Sequence, residues 1–116
     1  MERLILSTRT AMSNTSVVVL DIGGVLDINT VGEFETVLQD LFQKKQYKIV
    51  LNFQKLTYIS SAGFGVLISV IKDVRKNRGD IKIASVSPEI YKVFDLLELP
   101  GIFHVLKTEN DAVNEF

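Results

Sequence analysis

Apolar positions along the chain recur with two periods, and the alternation between them sets out the elements. Short β-branched runs at residues 3–10 (RLILSTRT) and 16–22 (SVVVLDI) predict two strands joined through the turn-prone Ser13-Asn14-Thr15. Gly23-Gly24 then breaks the second run as a bend or bulge before Val25 and Leu26. In residues 30–45 the spacing of Val31, Phe34, Leu38 and Leu41 predicts a helix, with Thr30 and Glu33 placed as a capping box. Residues 47–53 (YKIVLNF) read as a strand buried on both faces, because Ile49, Val50 and Leu51 are consecutive. A helix follows over 62–78 and a strand over 81–86. A short helix then spans 87–99, with Ser87 as N-cap, Pro88 at its first position and Pro100-Gly101 as its stop. Residues 102–107 close as a strand, and Thr108 with Asp111 caps a last helical turn.

The resulting order is β-β-α-β-α-β-α-β-α. Strand–helix alternation implies parallel neighbours, and the initial hairpin adds an antiparallel member. The expectation is an α/β fold: a mixed sheet of about five strands with four helices, forming one domain over residues 1–116. Residues 24–30 and 58–65 both leave carboxyl ends of strands, where function in such folds tends to sit, and are expected to meet.

The helix over 62–78 carries more apolar surface than one sheet contact needs. At about 100° per residue, Leu67, Val70, Ile71 and Val74 share one side, with Val66 on one margin and Phe64 and Ile68 on the other. The apolar arc is about 200° wide, against the roughly 100° stripe of a surface helix. The excess lies towards Ser61, with Gly65 and Lys72 beside it. Two readings follow: a neighbouring helix packs Phe64 and Ile68, or a partner docks on them. Gly63 and Gly65, each costing up to about 1 kcal/mol relative to alanine inside a helix, fit the second reading by removing bulk. They fit close packing on the sheet as well. Ser60 and Ser61 are helix caps in the plain reading. Alternatively one of them is a phosphoacceptor, since free amides and the helix dipole tolerate an anion there.

Composition narrows the chemistry. Thirteen basic residues against 14 acidic leave a net charge of −1 with no basic run, so a nucleic-acid footprint is absent. There is no cysteine for a disulfide or thiolate metal site, and a single histidine, His104, leaves little imidazole chemistry. SSAGFG lacks the Gly-x-Ser-x-Gly elbow of serine hydrolases, and GFG continues without the third glycine or the lysine of a nucleotide loop. No enzyme, metal or cofactor is expected. The N-terminal apolar stretch is too short for a secretory signal, and no run approaches the roughly 20 residues of a membrane span, so a cytoplasmic protein is expected.

Several segments in order resemble the STAS-domain anti-sigma factor antagonists. YISSAGFGVLISVIK is similar to that family's signature segment, and GVLDINT (residues 24–30) to its Gly-x-Leu-Asp-x-x-Thr loop. IVLNFQKLTYIS and IASVSPEIYKVFDLLELPGIFHV resemble its central strand and its last strand–helix–strand unit. The resemblance covers roughly residues 4–113 and implies partner switching. In that family the unphosphorylated protein binds an anti-sigma factor that is also a GHKL-type serine kinase, which then releases its sigma factor. Phosphorylation blocks binding, and a PP2C-type phosphatase restores it.

Against the family's Asp-Ser-(Ser/Thr/Ala)-Gly motif, Ser61 takes the acceptor position, Ala62 the small residue and Gly63 the glycine. Ser60 stands where aspartate is common and is the rival acceptor. Asp27 matches the loop aspartate, with Asn29 and Thr30 beside it. The resemblance and the helix pattern together give a partner-binding set of Asp27, Asn29, Thr30, Ser60, Ala62 and Gly63, continued along the helix by Phe64, Gly65, Ile68 and Lys72. A monomer without direct nucleic-acid or membrane contact is expected. The alternative is an unphosphorylated STAS module acting as a scaffold or transporter regulator.

Overall fold

The structure is a computed structural model and describes residues 3–116. The expected single domain over 1–116 therefore includes Met1 and Glu2, which lie outside the described residues. The described residues form one five-stranded sheet in the order β1-β2-β3-β4-β5, comprising β1 (Leu4–Thr10), β2 (Val18–Leu26), β3 (Lys48–Ile59), β4 (Asp80–Ala84) and β5 (His104–Leu106). β1 runs antiparallel to β2, and the remaining pairs are parallel. The connections are α1 (Val31–Gln43), α2 (Ser61–Lys76) and α3 (Pro88–Leu96), with a 3-10 turn at Leu99–Gly101, and α4 (Glu109–Asn114) follows β5. This is the mixed sheet and element order that the patterning predicts.

Side-chain alternation divides the sheet between two cores. One face sends Leu20, Ile22, Ile49, Leu51, Phe53 and Ile83 into a large core with α1, α2 and α3. The other sends Val19, Val50 and Ala84 into a smaller core under Ala112 and Val113 of α4. The consecutive Ile49-Val50-Leu51 run of β3 is thus buried from both sides, as a central strand requires.

α4 is tied down by polar contacts at both ends. The Arg9 guanidinium bridges Asp21 and Glu109, and Asn52, buried on β3, donates from Nδ2 to Glu109 at 2.9 Å. At the other end Glu115 pairs with the exposed His104, Nδ1 to Oε1 2.5 Å, and the Lys82 ammonium lies 5.1 Å from the Phe116 ring centre. Hydrogen bonding from Arg9, reinforced by Asn52 against a partial desolvation cost, holds the Glu109 carboxyl below the usual glutamate range. A depressed folded-state pKa stabilises the fold above the unfolded value, and that contribution is lost as pH falls through the folded one. Thermal unfolding from about pH 7 to about pH 3 is expected to show Glu109→Gln less stable than wild type at neutrality, with the gap closing on acidification. A constant gap contradicts the charge-based account.

One local expectation holds and two are corrected. The bend or bulge expected at Gly23-Gly24 is present: β2 runs on to Leu26 through register shifts at Asp21/Gly23 and Gly24/Val25. Gly24 has φ +82°, and a Cβ there would lie 1.8 Å from the Arg3 carbonyl oxygen, so only glycine fits. β3 extends to Ile59, beyond the expected end at Phe53, because it stays paired with β2 through those shifts. The Thr30–Glu33 capping box does not form. The Thr30 hydroxyl instead donates to the Val25 carbonyl and accepts from the Asp27 amide, each at 2.9 Å, stitching the loop before α1. The Ser87 and Thr108 caps do form, accepting from the Ile90 and Asp111 amides.

Candidate functional site

The two expected segments meet where β2 and β3 end side by side. Leu26 is paired with Ile59, and the Ser60 amide donates to the Leu26 carbonyl at 2.9 Å. The loop 27–30 and the opening of α2 therefore leave the sheet as neighbours. The loop is held by its own bonds: the Asp27 carboxylate accepts from the Asn29 amide at 2.9 Å, and the Asp27 carbonyl accepts from Thr30 and Val31. Asp27 and Thr30 are half-buried and Asn29 is exposed. Ile28, between them, is 73% exposed, and Tyr58 at the end of β3 is 53% exposed. These two apolar side chains are absent from the set read off the sequence. An isoleucine between two turn formers in a loop was the available signal.

Ser60 and Ser61 separate cleanly. Ser60 is the N-cap residue in extended conformation, yet its hydroxyl makes no capping bond; Oγ is buried and finds no partner among the described residues. Ser61 is the first helical residue and is exposed. The plain capping reading thus fails for Ser60, and the first-turn amides of α2 carry no side-chain cap and face no acidic first-turn residue. An anion at residue 61 meets free donors and the positive end of a 16-residue helix. Since Ser60 Oγ is desolvated without compensation, Ser60→Ala is expected to leave stability unchanged or raise it by up to about 1 kcal/mol, read by denaturant titration.

The apolar flank of α2 resolves in favour of internal packing. Phe64 is 4% exposed and stacks edge-on against Phe94 of α3, centroids 5.2 Å apart, so it is core and not docking surface. Gly63 is buried too. A Cβ there would stand 2.7 Å from Ile59 Cγ1 and 3.1 Å from Leu26 Cγ, so this glycine lets α2 sit on the strand ends and does not clear room for a partner. Ala62 and Ile68 are half-buried. Ser61, Gly65 and Lys72 are exposed along one stripe of the helix, and nothing stands within 4 Å of a Cβ built at Gly65. The exposed site therefore comprises this stripe together with the loop and its apolar tip, Ile28.

The STAS-domain family model matches residues 9–112. Over 84 residues, 72% of this chain and 78% of the relative, the sequence is 32% identical to the anti-sigma-B factor antagonist of Staphylococcus epidermidis. The chain belongs to the STAS-domain anti-sigma factor antagonist family. Its fold is shared with an anti-sigma factor antagonist from Mycobacterium paratuberculosis, at TM-score 0.86 and 17% identity over 97% of this chain and 93% of that one. It is shared as well with the Bacillus cell fate determinant SpoIIAA in its phosphorylated form, at TM-score 0.70 and 24% identity over 94% and 98%. Members of this family are regulatory proteins and not enzymes. In this antagonist-family chain, no helix among the described residues is long and apolar enough to cross a membrane.

Proposed function

We propose that this chain is a phosphorylation-switched anti-sigma factor antagonist. In its unphosphorylated form it binds an anti-sigma factor that is also a GHKL-type serine kinase, and so frees a sigma factor. Phosphorylation of Ser61 ends the interaction, and a PP2C-type phosphatase renews it. The observation that carries the reading is the contrast between the two serines: Ser61 is exposed at uncapped amides of α2, whereas Ser60 Oγ is buried. A phosphate on Ser61 is compatible with the native fold and adds a charge of about −1.5 to −2 beside the loop and its Ile28 tip. The chain acts as a single cytoplasmic domain and as a monomer, because an exposed stripe of this size suits transient contact.

One observation favours a second reading. Ser60 stands in place of the motif's usual aspartate, and its side chain is turned inward. A kinase that reads that carboxylate finds none, which leaves an unphosphorylated interaction module. Incubation with the cognate kinase and ATP, followed by intact-mass measurement, separates the two. The switch requires one added phosphate on the wild type and on Ser60→Ala, and none on Ser61→Ala. No added phosphate on the wild type supports the module.

A further inference from the structure

The sheet face under α4 is only half covered. Beyond the helix, between β1, β2 and the bulged part of β3, lies an open cleft of about 470 Å³, within the range of small-molecule sites. It is on the opposite face of the sheet from α2, and the switch makes no use of it.

The cleft is built by an irregularity. In β2 the step from Asp21 to Gly23 spans two residues, whereas its partner positions in β3, Asn52 to Lys55, span three. Strict alternation would send Gln54 and Lys55 to opposite faces. The extra residue turns both into the cleft, as bulges beside binding sites commonly re-aim side chains. Gly23, paired with Lys55, keeps the floor low, and Ile5, 70% exposed, forms an apolar wall.

The charges in the cleft are sorted to its two ends. At one end a single guanidinium, Arg9, serves two carboxylates, so Arg9, Asp21 and Glu109 together carry one net negative charge. The Asp21 and Glu109 side chains remain 38% and 25% exposed, with lone pairs to spare. At the other end Lys55 is exposed and has no ion pair among the described residues. Asp21 and Gly23, whose partner is Lys55, are two residues apart on β2, about 7 Å along the strand. That is the backbone separation, and the flexible four-carbon stem of Lys55 lets its ammonium stand off from the carboxylates far enough to admit a short dipolar molecule with a charge-assisted hydrogen bond of about 2.8 Å at each end.

The geometry points to a binding site for a small zwitterion, an amino-acid-like molecule whose ammonium meets Asp21 and Glu109 and whose carboxylate meets Lys55. Gln54 and Ser7 supply neutral hydrogen-bonding groups between the two ends.

The test is an amide-resolved NMR titration of the full chain with L-glutamine up to about 10 mM, alongside acetate and ethylammonium as half-ligands. Saturable shifts from glutamine at Gly23, Gly24, Gln54 and Lys55 are expected, weakened about tenfold or more in Lys55→Gln and in the cleft-filling Ile5→Trp. Both substitutions are at exposed positions, and an unchanged thermal midpoint confirms that each variant is folded. The proposal is overturned if no shift appears, if shifts centre elsewhere, if either folded variant binds like wild type, or if acetate or ethylammonium alone binds as well as glutamine.

Discussion

Ser61→Asp is expected to lower affinity for the anti-sigma factor by roughly 10- to 100-fold, and Ser61→Ala to bind like the wild type; isothermal titration calorimetry with the purified partner reads both. The difference follows from where residue 61 sits. It is exposed at the first position of α2, so neither substitution disturbs the core, and an aspartate there is welcomed by the uncapped helix end. The cost of the charge falls on the complex. A single carboxylate held against an apolar or acidic contact costs about 1.4–3 kcal/mol. Complete switching, from about 99% bound to about 1%, requires close to 5.5 kcal/mol, which a phosphate approaches with its larger charge and heavier desolvation. On the proposed switch the aspartate variant is therefore expected to be a partial mimic, with phosphorylation giving the larger loss. Equal affinities for Ser61→Asp and Ser61→Ala would remove Ser61 from the interface.

Phe64→Ala costs about 3–5 kcal/mol of stability, as expected for an aromatic removed from a core, and lowers the Tm by more than about 10 °C. Its ring contacts Phe94, which in turn packs edge-on against Phe53 with centroids 6.2 Å apart, so one side chain links α2, α3 and β3. Calorimetric unfolding reads the loss. The informative comparison is Ile28→Ala. Its side chain stands in solvent, so the change in stability is expected to stay within about 0.5 kcal/mol while affinity for the proposed partner falls. If Phe64→Ala were stable and merely binding-deficient, the assignment of Phe64 to the core would be wrong.

What patterning could reach depended on how local the cause was. The strand–helix order, the double burial of Ile49 to Leu51 and the Ser87 and Thr108 caps are set within a few residues, and each was readable. Phe64 was not, because a helical wheel reports which residues share a side but not that α3 will lie against that margin. Thr30 had the right neighbours for a capping box, yet the Val25 carbonyl and Asp27 amide compete for the same hydroxyl, and they belong to the preceding strand end and loop. The stretch Gln54 to Thr57, with Leu56 its one apolar residue, hid the second half of β3, since its pairing depends on bulges that match Gly23 and Gly24 more than on its own hydrophobicity. At the site, the motif placed Ser61 correctly at the helix start, but the inward turn of Ser60 and the outward turn of Ile28 came only with three-dimensional placement.

The strand order in space repeats the strand order in the chain, and this bears on how the molecule is made. Each strand from β2 onward docks on the one synthesised just before it, so the sheet can grow from its N-terminal edge as the polypeptide emerges. Each parallel addition closes a loop of one helix and its turns, an entropic cost that rises only slowly with loop length. No strand waits for a distant segment to fill a gap beside it. Assembly is therefore expected to be sequential, with α4 the last piece to lock across β3, β4 and β5.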